Sequence, residues 1–234
     1  MNCIIASTST VYGSDYLEYL QAPLKELFRD AQQILFIPFA RPGGITHEVY
    51  TQKAREGLAF LNKEVVGLHQ TENYKEAIKN AKAIFTGGGN TFVLVNQLYK
   101  NDLLHVLHNR IKDDVAYLGT SAGSNICGKT MHTTNDMPIV YPPGFETLGI
   151  LDFNINPHYL DPDPTSKHKG ETRQTRIEEF HTYNQTAVVG LREGSWLQVS
   201  KNNIILKGDL SARIFRTSQE PYEMEPGASL KNLR

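Results

Sequence analysis

Ser121 sits between two glycines, each two residues away, in Gly119-Thr-Ser121-Ala-Gly123. The apolar run 115–120 precedes it, so the pattern reads as a strand that turns sharply into a helix and lifts the serine hydroxyl clear of a sheet. Such a turn has no room for side chains at the flanking positions, and it exposes the backbone amide of Ala122. A small-residue turn with an incidental serine has the same local pattern, so the chemical reading needs partners. A serine hydroxyl is a poor nucleophile until a base takes its proton. Of the eight histidines, His158 is the best placed, because it ends the extended run Phe153-Asn-Ile-Asn-Pro-His158 with a loop beyond it. His47, His69, His105, His108, His132, His168 and His181 lie in helical or polar contexts.

An imidazole base in turn needs a carboxylate for its second nitrogen. Two candidates stand out. Glu193 follows the apolar run Val188-Val-Gly-Leu191, and Asp136 lies within Thr133-Thr-Asn-Asp-Met-Pro138. Residue pattern does not choose between them. Acyl transfer also needs donors aimed at a developing oxyanion, and Thr86-Gly-Gly-Gly89-Asn90-Thr91 offers unencumbered amides between a strand and a helix start. The amides of Gly89 and Ala122 are the candidates. The same loop type can cradle phosphate, but the lysine and hydroxyl of a P-loop and the spacing of a dinucleotide fingerprint are absent.

These residues must be held by a scaffold, and the hydrophobic pattern says which kind. Strand-like runs at 3–6, 34–39, 64–68, 83–86 and 115–120 alternate with helical spacing at 17–28, up to residue 59, at 74–80 and at 91–99. This rhythm predicts an α/β fold with a mostly parallel central sheet and helices on both faces. Beyond residue 125 the pattern changes. Residues 133–143 are rich in turn formers, 148–156 reads as extended, 161–166 as an exposed loop and 173–183 as helical. The runs 187–191, 196–200 and 204–206 read as strands, the last two forming a hairpin across Asn202-Asn203. With no linker, repeat or low-complexity tract, residues 1–234 are expected to form one domain.

The formal net charge is −1, from 24 basic and 25 acidic residues, and no basic block marks a nucleic-acid surface. The one local cluster is Lys167-His168-Lys169 with Arg173 and Arg176, which base rates favour as a solvated loop. Two cysteines, Cys3 and Cys127, make neither a disulfide framework nor a zinc spacing. The amino terminus lacks signal-peptide character, and no apolar run approaches the roughly 18 residues of a membrane span. A cytoplasmic protein without membrane or nucleic-acid partners is expected.

Seven strings together carry a family resemblance: Phe36-Ile-Pro-Phe-Ala40, Gly87-Gly-Gly-Asn-Thr-Phe92, Ser121-Ala-Gly123, Thr133-Thr-Asn-Asp-Met-Pro-Ile-Val140, Ile155-Asn-Pro-His158, Gly170-Glu-Thr-Arg-Gln-Thr-Arg-Ile177 and Glu193-Gly-Ser-Trp196. In type and order they resemble the peptidase E family of α-aspartyl dipeptidases, over nearly the whole chain. The resemblance implies a fold related to class I glutamine amidotransferases, with serine where those enzymes carry cysteine. It implies hydrolysis of dipeptides with an amino-terminal aspartate, without metal or organic cofactor, by a triad matching Ser121, His158 and Glu193, with oxyanion amides from Gly89 and Ala122. Arg173 matches the residue thought to hold the substrate's aspartate side chain, and Asp136 matches an aspartate the family also carries. Thr120 and Ser124 replace the bulkier residue and alanine usual at the elbow. The partner implied is a small dipeptide, and a homodimer is compatible with it. Two other readings are a cyanophycinase-like β-aspartyl peptidase and a non-catalytic small-molecule binder that keeps the fold.

Overall fold

The computed structural model describes residues 1–233 except 164, 166, 168, 169 and 202. The loop expected after Asp161 is therefore described in part. His168 and Lys169 of the basic stretch, and Asn202 of the hairpin turn, lie outside the described residues.

Strands β1 (Asn2–Ala6), β2 (Gln33–Ile37), β3 (Glu64–Gly67), β4 (Ala83–Thr86) and β5 (Ala116–Thr120) lie parallel in the spatial order β3-β2-β4-β5-β1. Between them run α1 (Gln21–Leu27), α2 (His47–Gly57), α3 (Tyr74–Asn80), α4 (Thr91–Lys100) and α5 (Leu104–Lys112). Capping side chains start three of them. Thr46, Asn73 and Asn90 accept hydrogen bonds from the amides of Val49, Glu76 and Val93. After β5 come the single-turn helix α6 (Ala122–Asn125), β6 (Asn154–Pro157), α7 (Arg173–Tyr183) and β7 (Val188–Leu191). The chain closes with β8 (Trp196–Ser200), β9 (Asn203–Lys207), β10 (Ala212–Phe215) and β11 (Tyr222–Met224).

The alternation of strand side chains divides the core. Ile4, Ile34, Phe36, Phe85 and Leu118 face α1 and α2, where they meet Leu24, Tyr50 and Ala54. Cys3, Ile5, Leu35, Ile37 and Tyr117 face the other way, onto Ile78 of α3, Leu94 and Leu98 of α4 and Leu107 and Ile111 of α5. The predicted helices on both faces are present. A hairpin of β8 and β9 extends the central sheet antiparallel to β1. Asn203, expected in the turn, is already in the ladder, where it pairs with Ser200.

A second sheet, in the order β11-β10-β7-β6, is absent from the sequence-level reading. One face, through Ile155, Val189 and Ile214, shares the large core cluster with the central sheet. The other face, through Val188 and Phe215, packs on Ile177 of α7. The expected extended segment 148–156 narrows to a strand at Asn154–Pro157, preceded by irregular chain that nevertheless buries Leu148 and Leu151. Among the described residues no helix is long and apolar enough to cross a membrane.

Candidate active site

Ser121 follows the last ladder residue of β5 and takes φ 54°, ψ −112°, in the left-handed half of backbone space. A non-glycine residue held there costs about 1–3 kcal/mol and persists only when its surroundings over-determine it. Here they do. The Ser121 amide donates to Ala6 O at 3.2 Å, and its carbonyl accepts from the amides of Ser124 and Asn125 at 2.9 Å each. A Cβ on Gly119 would lie 2.4 Å from Gly123 O, and one on Gly123 would lie 2.2 Å from Thr86 O. Both flanking glycines are therefore required by close approach of backbone, as the sequence pattern suggests. Ser124, where alanine was expected, uses its hydroxyl to reach Ala6 O at 2.5 Å and Gly119 O at 2.8 Å, and so adds to the grip on the turn.

His158 stands one residue beyond β6, also at φ 54°. Its Nε2 lies 2.8 Å from Ser121 Oγ and its Nδ1 lies 2.6 Å from Glu193 Oε1. Glu193 is two residues beyond β7, in a turn closed by the Ser195 amide donating to Arg192 O at 3.1 Å. A hydroxyl, an imidazole and a carboxylate in series can carry the serine proton to the imidazole as the oxygen attacks an acyl carbon, with the carboxylate stabilising the imidazolium.

Asp136 goes elsewhere. Its Oδ2 accepts from the Thr91 amide at 2.7 Å, the Thr91 hydroxyl at 2.7 Å and the Thr134 hydroxyl at 2.9 Å. That places its charge on the first turn of α4, where a helix favours an anion. Both ring nitrogens of His158 are occupied by Ser121 and Glu193, so the carboxylate against the imidazole is that of Glu193.

The glycine-rich loop closes over the serine. A Cβ on Gly88 would lie 2.8 Å from Ser121 Cβ, and Gly89 holds φ +143° with Ala40 O only 2.3 Å from where its Cβ would be. The loop is secured by the Gly87 amide to Ile37 O at 3.2 Å and the Asn90 amide to Ala40 O at 2.7 Å, bonds that do not use the Gly89 amide. In α6 the ladder begins with the Ser124 amide, which leaves the Ala122 amide among the unsatisfied donors of the helix start.

Arg173 is the first residue of α7, whose cap Thr172 accepts from the Thr175 amide. It lines a cavity of about 410 Å³ with Leu160, Asp161, Glu171 and Arg176. Burial, then repulsion from Arg176, lowers its proton affinity, and the charge of Asp136 acts the other way. Among the described residues its guanidinium makes no ion pair. A cation at a helix N-terminus opposes the helix dipole, so this position favours an incoming anion.

Beside Glu193, Arg192 bonds Asp161 through two nitrogens at 2.6 and 2.8 Å, reaches Glu223 at 2.9 Å and stacks over Tyr159. This ties the loop after His158 to the turn carrying Glu193, a role the sequence does not announce. The Arg192 guanidinium, helped by Ser211 and Arg213 and opposed by burial, holds the Glu223 carboxyl at about 2, below its usual 4.5. A depressed carboxyl contributes stability that is present above its unfolded value and lost as pH falls toward the folded one. Glu223→Gln should therefore lower Tm at neutral pH, and the difference from wild type should vanish between about pH 4.5 and 2 in thermal melts. A difference independent of pH would contradict this. Among the described residues no group of three or more His, Cys, Asp or Glu side chains is arranged to hold a metal.

The chain is similar to known proteins over its whole length. A model described as "Peptidase family S51" matches residues 3–207. The "Probable alpha-aspartyl dipeptidase" of Drosophila melanogaster is 43% identical over 235 residues, covering 99% of this chain and 97% of that protein. The "Peptidase E" of Streptomyces coelicolor is 42% identical over 233 residues, covering 100% and 95%. Among solved structures, the crystal structure of a peptidase from an acI-B1 Actinobacterium matches with TM-score 0.73 at 18% identity, over 97% of this chain and 95% of its own, a likeness of fold. With the family model covering most of the chain and full-length relatives at 42–43% identity, the chain belongs to peptidase family S51.

Proposed function

We propose that the protein is a serine dipeptidase that cleaves Asp-X dipeptides through an acyl-enzyme. The observation that carries this reading is the unbroken series Ser121 Oγ, His158, Glu193, with contacts of 2.8 and 2.6 Å. Ser121 Oγ attacks the peptide carbonyl while its proton passes to His158 Nε2. The carbonyl oxygen, now negative, is met by the amides of Gly89 and Ala122. Collapse breaks the C–N bond, His158 gives its proton to the leaving amine, and water then releases the aspartyl group by the same path in reverse. Glu193 keeps the imidazole oriented throughout.

Selection for aspartate is assigned to Arg173, whose planar fork matches a carboxylate with two charge-assisted hydrogen bonds. That it makes no ion pair among the described residues and stands at the start of α7 supports that role, as does the name of the Drosophila relative. The two sheets share one core cluster, which supports a single domain of residues 1–234. Both cysteines are buried thiols, which suits a reducing, cytoplasmic setting.

The test compares hydrolysis of Asp-Leu, Asn-Leu, Glu-Leu, β-Asp-Leu and a longer peptide starting with aspartate, by wild type and Arg173→Met. Wild type should prefer Asp-Leu. The variant should lose about 10²-fold in kcat/KM on Asp-Leu, the worth of hydrogen bonds to a charged group, and most of its preference over Asn-Leu. Cleavage confined to β-Asp-Leu would move the assignment to a cyanophycinase-like β-aspartyl peptidase, and undiminished aspartate preference in Arg173→Met would remove Arg173 from the pocket.

A further inference from the structure

Ser7, one residue past the end of β1, is fully buried. Its Oγ donates to Leu191 O at 2.7 Å and accepts from the His158 amide at 2.9 Å. Its own amide donates to Ser195 O at 3.1 Å, and the carbonyl of its neighbour Ala6 accepts from the Ser121 amide at 3.2 Å. The two-residue segment Ala6-Ser7 thus touches the chain at Ser121, at His158 and on both sides of Glu193.

These contacts matter because of where the strand ladders stop. β5 last pairs with β1 at Thr120 and Ala6, one residue before Ser121. β6 and β7 last pair at Pro157 and Leu191, just before His158 and Glu193. All three side chains therefore project from backbone beyond the regular sheet, on segments belonging to two different sheets. Among the described residues, the bonds tying His158 to this frame are few: its amide to Ser7 Oγ, and the Tyr159 amide to the same Leu191 O that Ser7 engages, at 3.1 Å. His158 is at φ 54°, a conformation that relaxes unless it is held, and the Ser7 hydroxyl accepts from its amide.

We infer that Ser7 is a positioning residue for the triad, its hydroxyl locking the His158 and Glu193 segments of one sheet to the Ser121 segment of the other. This rests on the serine-peptidase reading above. Ser7 touches no reacting atom, and it acts through His158. Without its hydroxyl the His158 amide is left with no acceptor, and the imidazole drifts from Ser121 beyond what proton transfer tolerates.

The experiment compares wild type, Ser121→Ala, Ser7→Ala and Ser7→Cys, the last being close to serine in shape but a weak hydrogen bonder. It reads kcat and KM on Asp-Leu, the rate of covalent labelling by a fluorophosphonate, and Tm. Loss of positioning should lower kcat and labelling rate together by about 10- to 100-fold in Ser7→Ala while KM changes little, with Ser7→Cys between the two. A folded Ser7→Ala that keeps wild-type kcat and labelling rate would overturn the inference. So would a fall in Tm without that split between kcat and KM. If Ser7→Ala does not fold, Ser7→Cys decides by the same readouts. Labelling separates the two levels of the reading. Fluorophosphonate labelling of wild type and not of Ser121→Ala, with no cleavage of Asp-Leu, would sink the substrate assignment and leave Ser7 testable by labelling rate. Labelling that persists in Ser121→Ala would sink the nucleophile and this inference with it.

Discussion

Ser121→Ala should cut turnover of Asp-Leu by about 10⁴- to 10⁶-fold with little change in Tm, since removing the nucleophile of such a triad leaves only binding and oxyanion stabilisation. The expectation of an intact fold comes from what Ser121 touches. Its hydroxyl bonds His158 Nε2, whereas the strained turn is held by its backbone bonds to Ala6, Ser124 and Asn125. The Cβ that packs against Gly88 is kept by alanine. Steady-state kinetics beside a thermal melt check both halves. Activity within tenfold of wild type in a folded variant would mean that another group attacks the peptide.

Glu193→Gln should cost about 10⁴ in kcat, because a neutral amide can occupy the same space but neither enforces the tautomer nor stabilises the imidazolium that forms during attack. Asp136→Ala is the contrasting case. It removes an anion and a hydrogen-bond acceptor from the start of α4, so about 1 kcal/mol of stability should be lost and kcat should fall far less than in Glu193→Gln. Measuring kcat and Tm for both variants separates the roles. A larger kcat loss in Asp136→Ala would show that Asp136, not Glu193, supports the base.

Much of this was legible along the chain because the signals are local. The inner strands β1, β2, β4 and β5 are buried on both faces and read as near-continuous apolar runs, so they could be seen, and the elbow glycines show in the pattern although the atom that Gly123 must clear, Thr86 O, lies on another strand. His158 and Glu193 could be named because each sits where such a run stops. The hidden elements have weaker local signatures. β10 and β11 are four and three residues long, too short for a period to show, and they gain stability by pairing with β7 and with each other. α5 buries Leu107 and Ile111 and packs on α3, but the polar residues His105, Asn109 and Arg110 around them blur the apolar stripe.

By itself, then, the sequence determined the residue types of the chemistry, the α/β rhythm, and the family whose motifs the chain carries in order. Apart from the family resemblance, which points to Glu193, residue pattern left Glu193 and Asp136 equal as strings, and it is the tertiary structure that sets Glu193 against the imidazole and Asp136 on α4. It also decided that a second sheet delivers His158 and Glu193 to a serine on the first. The bonds of Ser7 to His158 and Leu191 span 151 and 184 residues. A single hydroxyl after a strand has no sequence signature for partners so distant, because their meeting depends on how two sheets share a core.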